Sequence, residues 1–211
     1  RCGSKIVEEA KKIVPRIEAN PNGHEGLVER KSYVFEEGDY ILCRTVAPLV
    51  SSCLDLLRQG KAARILGQSI KDTLNNLVNS VTRKRNLNVD RFLDELENYC
   101  RERIERLERR GPNDLAEQIR DSQEALEAIC QSIDYTYEIG GVVERLFDHD
   151  NPKFTFMSIH KSKGLENDRV VIMRPDLLPH PKVKTEWGME EERRLQYVAT
   201  TRAKKELIIC S

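Results

Sequence analysis

The stretch FTFMSIHKSKGLEN, residues 154–167, is an apolar, strand-like run that passes directly into a histidine, two lysines, a glycine and a glutamate. In open α/β sheets ligands sit in the crevice beyond the carboxyl ends of the strands, so a strand that ends in this much hydrogen-bonding equipment stands where binding residues belong. Ser158 and His160 can donate to phosphate oxygens, and Lys161 and Lys163 supply positive charge. Gly164 lets backbone N–H groups approach a ligand, and Glu166 can accept from sugar hydroxyls. Taken alone, the same loop would serve equally well as a polar cap on a strand. No metal-ligand spacing appears in it.

Working outward, the residues on either side repeat a strand–helix–strand rhythm. Upstream, residues 4–17 read as a helix with Ser4 as N-cap, kinked or ended by Pro15, and LVERKSYVF (27–35) reads as a short strand. DYILC (39–43) is a compact strand followed by a helix from Pro48 to Gln59 that stops at Gly60, and AARIL (62–66) is the next strand. Downstream, strands are expected at 154–159, 169–173 and 206–210, with one strong helix at 190–204. This order predicts an α/β fold with a mostly parallel sheet.

Between about 70 and 150 the pattern changes to charged helices. Leu93, Leu96, Cys100, Ile104 and Leu107 form one apolar stripe, and Leu115, Ile119, Ser122, Leu126, Ile129 and Ile133 form another. RGPNDLAE makes the turn between them, with Asp114 and Glu117 as a capping box. Arg101, Arg103, Arg106, Arg109 and Arg110 alternate with glutamates, which reads as a solvated, ion-paired face before it reads as a DNA-binding stripe. The helical middle is therefore expected as an insertion into one α/β domain.

In the last helix EEERRLQYVATTRAKKEL (190–207), glutamates crowd the first turn, and Arg202, Lys204 and Lys205 are expected in the last, matching the helix dipole. Leu195, Val198 and Ala199 mark its buried face, and Arg194 and Arg202, two turns apart, are expected to present guanidinium groups at one edge of the sheet.

Composition limits the function classes. Lysine plus arginine total 35, as do aspartate plus glutamate, in 211 residues, so any anion binding must be local and not steered by a global field. The six cysteines stand singly, with no C-x-x-C pair, which disfavours zinc and fits thiols kept reduced in a cytoplasmic protein. No run approaches the ~18 apolar residues of a membrane span, so no membrane partner is expected. Arg1, in place of a methionine, suggests a piece of a longer protein.

Read together, SIHKSKGLE and EEERRLQYVATTRAKKEL resemble motifs V and VI of the UvrD/Rep family of superfamily 1 DNA helicases. YILCRTVAPL followed by LLRQGKAARILGQSI resembles the strand and helix ahead of that family's 2B insertion, and RCGSKIVEEA resembles the tail of motif IV. The resemblance covers roughly 1–17, 38–75 and 153–211. It implies a RecA-like second motor lobe (2A) over 1–75 and 153–211, with a reduced, all-helical 2B-position insertion over 76–152. In this family ATP lies between two such lobes, the first carrying the P-loop and the acid that holds Mg²⁺. This chain has no P-loop and would complete the site, so alone it is expected to be inactive.

The resemblance further implies that Arg202 touches the γ-phosphate, with Arg1 in support, and that Glu166 and Gly164 lie at the nucleotide. Ser158, His160 and Lys161, and after the YILC strand Arg44 and Thr45, would lie along single-stranded DNA near a duplex junction. Two positions depart from the family: Val46 replaces an asparagine common after RT, and Asn167 replaces an aromatic after GLE. For Asn167 a hydrogen bond is expected where relatives have ring packing. The function implied is an ATP-dependent helicase, translocating 3′-to-5′ in replication, repair or recombination. The competing reading is a non-catalytic nucleic-acid or protein-binding module that keeps these elements as relics, with the helical insertion recruiting a protein partner.

Overall fold

A computed structural model describes residues 2–32, 34–109, 111 and 114–210, with the Asp114 side chain left out. Six strands form one sheet in the order β1-β6-β5-β2-β4-β3: β1 Leu27–Lys31, β2 Tyr40–Cys43, β3 Ala63–Leu66, β4 Phe154–Ser158, β5 Asn167–Ile172 and β6 Ala203–Cys210. Every pairing is parallel. All the strands therefore end at one rim, the carboxyl edge, and begin at the other, the amino edge.

The two-residue period of the strands distributes their apolar side chains between two layers. Ile41, Cys43, Phe154, Phe156, Val171 and Ile208 enter one core, and Leu42, Met157, Val170, Ile172, Leu207 and Ile209 enter the other. The second core is closed by helices α1 (Ser4–Lys11) and α7 (Glu186–Thr200), through Ile6, Leu195 and Ala199. The first is closed by α2 (Ala47–Arg58) and by α3 (Gln68–Thr82), α4 (Val89–Glu108), α5 (Asp114–Cys130) and α6 (Ile139–Phe147). The charged middle of the chain is thus a helical layer whose Leu74, Phe92, Leu96, Leu126 and Ile129 share one continuous core with the sheet.

Several element boundaries differ from the sequence expectations. The first helix ends at Lys11, well short of residue 17, because Pro15 blocks a helical carbonyl bond and biases the residue before it away from helix. Ser4 is its first helical residue and not its cap; its hydroxyl donates to the Glu25 carbonyl. Strand β1 stops at Lys31, and Tyr33 lies outside the described residues.

On α4 the expected stripe is buried at Leu96, Cys100 and Ile104, joined by Phe92. On α5 the buried face turns toward Ala116, Ala125, Leu126, Ile129 and Cys130, leaving Leu115 exposed. The Asp114–Glu117 capping box lies outside what is described, since it rests on the Asp114 side chain; the Glu117 carboxylate meets Arg120 and His180. The α4 arginines pair along their own helix, Arg101 with Glu97 and Arg109 with Glu105, while Arg103 donates to the Tyr99 hydroxyl. Arg110 lies outside the described residues. The six cysteines are free thiols, and Cys43, Cys53, Cys100 and Cys130 are buried.

The last helix differs most from expectation. Thr185 caps it by accepting from the Gly188 N–H at 3.1 Å, so α7 begins at Glu186 and ends at Thr200. Arg202, Lys204 and Lys205 consequently sit outside the helix, Arg202 in the turn and the lysines in β6, and no basic residue occupies its last turn.

Candidate functional site

Residues 159–166 leave β4 at the carboxyl edge and enter β5 at the amino edge, and β2 lies between those two strands. The segment must therefore traverse one face of the sheet. Eight residues can span ~26 Å, more than the ~17 Å of a five-residue strand. Ile159 anchors it in the core beside Leu42 and Met157, and buried Ser162 donates from its hydroxyl to the Ile159 carbonyl at 2.7 Å. Gly164 holds φ +86°, a left-handed conformation that a side chain would strain. The candidate residues are thus split between two rims, and the placement argument from carboxyl ends applies only to the first half of the segment.

At the amino edge the structure brings Glu166 and Arg202 onto neighbouring chain segments. The Asn167 N–H donates to the Arg202 carbonyl at 3.0 Å, and Asn167 is register partner to Ala203. The Arg202 guanidinium donates to the carbonyls of Val198 (3.0 Å) and Leu165 (3.1 Å) and to the Thr201 hydroxyl (3.2 Å). A guanidinium has five N–H donors, so two remain, on a partly exposed group, to meet an anion. Asn167 is the further anchor expected for it: its amide donates to the carbonyls of Gly38 (2.6 Å) and Arg169 (2.9 Å).

Arg169 in turn faces Glu36, Asp39 and Glu206, which ties the segment ahead of β2 to β5 and β6. Burial raises the Asp39 carboxyl above its ordinary range. Arg194 is not at this rim with Arg202; it pairs with Glu190 on the exposed side of α7. Arg1 lies outside the described residues.

At the carboxyl edge Ser158 is buried, while His160 and Lys161 are exposed. The Lys161 N–H donates to the Ser158 carbonyl at 2.9 Å, which curls the chain over the strand end. Thr45 is buried. Arg44 stands at this rim with its guanidinium engaged by Glu192, Nε to both carboxylate oxygens (3.0 and 3.1 Å) and Nη2 to Oε1 (2.7 Å). Glu192 is only 3% exposed and also accepts from the His180 N–H at 2.9 Å. The His180 ring lies 3.3 Å from Glu117 of α5, and burial pushes its pKa below the ordinary histidine value. A chain of polar contacts thus runs from the helical layer through His180 and Glu192 to the β2 loop. Sequence reading missed Glu192 and His180, since EEE at 190–192 looks like ordinary first-turn acid.

Asp121 of α5 caps α2 by accepting from the N–H groups of Val46 (2.6 Å) and Ala47 (3.2 Å), and burial pushes its carboxyl up to about 6. A folded value above the unfolded one means that the native state binds the extra proton. Stability from this group is full below pH ~4 and is lost as pH rises to ~6, of order 1–3 kcal/mol. Asp121→Asn keeps an acceptor without titrating. Urea midpoints measured from pH 4 to 6.5 should fall more steeply for wild type than for the variant, and parallel curves would sink this assignment.

The described geometry defines a parallel α/β lobe of RecA-like type with a helical layer on one face. The UvrD-like helicase C-terminal domain model matches residues 66–211, and the chain belongs to that family. ATP-dependent DNA helicase Rep of Salmonella typhimurium is 51% identical over 53 residues, covering 24% of this chain and 8% of that protein. Rep of Escherichia coli is 49% identical over 53 residues, with the same shares, and Rep of Buchnera aphidicola from Acyrthosiphon pisum is 41% identical over 66, covering 30% and 10%. The matches therefore span about a tenth or less of those helicases. The C-terminal domain of a possible DNA helicase from Lactobacillus plantarum WCFS1 aligns over 100% of this chain and 86% of its own, at 14% identity and a TM-score of 0.45. Among the described residues no helix is long and apolar enough to cross a membrane.

Proposed function

We propose that this chain is the second motor lobe of an ATP-dependent DNA helicase: it completes an ATP site against a P-loop lobe and grips single-stranded DNA. The observation that carries the reading is the 159–166 segment. It is one continuous piece of chain with Ser158, His160 and Lys161 at one rim and Glu166 beside Arg202 at the other. Residues 1–75 and 153–211 make the motor lobe in this reading, and 76–152 occupies the 2B position. The two uncommitted Arg202 donors and the partial exposure of that group fit a phosphate. Mg²⁺ would be held by the facing lobe and the phosphates.

Closure of the two lobes on ATP would move the Glu166–Arg202 rim against its partner. Hydrolysis would release it, and the segment would carry the change to the strand end that faces DNA. Polarity 3′-to-5′ and a role at duplex junctions in replication, repair or recombination complete the proposal. The experiment that tests it is single-strand-stimulated ATP turnover by the protein in which this lobe faces a P-loop lobe, comparing wild type with Arg202→Ala.

A further inference from the structure

Two surface segments of the helical layer, TRKRN (82–86) and DYTYE (134–138), are locked side by side. Leu87 N–H donates to the Thr136 hydroxyl and Thr136 N–H to the Leu87 carbonyl, both at 3.0 Å, and Val89 N–H donates to the Asp134 carbonyl at 2.9 Å. Asn88 and Tyr135 form an isolated antiparallel bridge. These bonds set a basic turn next to a pair of tyrosines far from either rim residue set in sequence.

The tyrosines are unusual for side chains of their size. Tyr135 and Tyr137 stack on one another, with ring centroids 6.0 Å apart and planes 22° from parallel, yet they are 46% and 71% exposed. Glu138 fixes their backbone by accepting from the N–H groups of Asp134 (3.2 Å) and Tyr135 (3.1 Å). The basic turn carries a cost of its own. Arg83 and Lys84 sit at φ 49° and 65°, two consecutive non-glycine residues in the left-handed region, at ~1–2 kcal/mol each. Glycine would end α3 with less strain, but here two exposed cations do so. Arg85 pairs with Glu95, and among the described residues Arg83 and Lys84 have no acidic partner within salt-bridge distance.

We infer that this face is a second contact for a single-stranded nucleic acid, separate from the sheet-edge residues proposed above. Bases would stack on the open faces of Tyr137 and Tyr135, and phosphates would meet Arg83 and Lys84. Every base has a π-face, so stacked aromatic rings beside paired cations hold single strands without sequence preference. A protein segment would gain less from two near-parallel, highly exposed rings, which offer a flat platform for a base.

The probe is a fluorescein-labelled oligo-dT, titrated into the 1–211 chain by anisotropy over a range of salt. Tyr137→Ser should weaken binding about tenfold, since one stacked base contributes roughly 5- to 150-fold. The double variant Arg83→Gly/Lys84→Gly should also weaken it, and should flatten the slope of log K against log salt by ~1.4, or ~0.7 per phosphate. The glycine variant should not lower the thermal midpoint, because glycine takes the left-handed conformation freely, so its loss of binding cannot be put down to misfolding. Ultraviolet cross-linking of an iodouracil-substituted strand should mark Tyr137 or Tyr135. Wild-type chain that fails to bind or cross-link, or variants that keep both affinity and slope, would overturn the inference. Loss confined to Lys161→Ala would overturn it while leaving the sheet-edge reading intact. Tyr137-dependent binding of oligo-glutamate, with oligo-dT binding unchanged, would assign the face to an acidic protein segment instead.

Discussion

Replacing Arg202 with alanine should lower ATP turnover by 10³- to 10⁵-fold in the protein where this lobe faces a P-loop lobe. That is the range by which an arginine reaching a transferring phosphoryl group accelerates the reaction, and it corresponds to ~4–7 kcal/mol of barrier. The size follows from what the guanidinium does here. Three of its N–H bonds are committed to Val198, Leu165 and Thr201, and these fix its plane. Among the described residues the remaining two meet no acceptor that would compete with a phosphate.

Lysine should not rescue, because a flexible ammonium cannot hold both carbonyls and the anion together. Arg202 is partly exposed and outside α7, so its loss should leave the fold intact. Steady-state turnover with saturating single strands is the measurement, together with a thermal melt. Turnover within a few-fold of wild type would remove Arg202 from the ATP site.

The second large effect is on stability. Arg44→Ala should cost ~3–5 kcal/mol, since it leaves the Glu192 carboxylate, 3% exposed, without its ion partner. Glu192→Ala should cost a similar amount, because the Arg44 guanidinium and the His180 N–H both lose their acceptor. The double variant should lose less than the sum of the two, with a coupling of ~0.5–3 kcal/mol by a denaturation cycle. Strict additivity would show that the pair is formed but energetically idle. Folded domains hold only ~5–15 kcal/mol in total, so either single change should be visible as a large drop in midpoint. The pair also explains why a motif-like arginine at the carboxyl rim is built into the fold. It joins the β2 loop to α7, and through His180 and Glu117 to the helical layer.

Much of this arrangement was legible from residues alone. The strands YILC, FTFMS and the apolar end of β6 were readable because parallel strands buried on both faces are nearly continuous apolar runs. The motif resemblance implies that Glu166 and Arg202 both lie at the nucleotide, and the β5–β6 register sets the two on adjacent chain segments. What was not legible has physical causes. Gly188 within the first turn of α7 hides its start, and the cap comes from Thr185, which is followed by glutamate, tryptophan and glycine with no apolar stripe. A run of three glutamates gives no sign that the third is buried by a partner 148 residues away. On α5 small Ala116 and Ala125 occupy the buried face, and alanines do not announce a stripe. Nor does helix periodicity say that the charged middle shares its core with the sheet.

The central claim is that the 159–166 segment couples the nucleotide rim to the DNA rim, with Asn167 as the anchor that makes one end rigid. The direct measurement is the ratio of oligo-dT dissociation constants with and without a non-hydrolysable ATP analogue, in the protein where this lobe faces a P-loop lobe. Allosteric coupling between sites is typically 5- to 150-fold, and wild type should fall in that range. Asn167→Ala removes the bonds to Gly38 and Arg169 without touching the carboxyl rim. The account predicts that this variant binds oligo-dT normally without nucleotide while its ratio falls toward one. A ratio unchanged from wild type would contradict it.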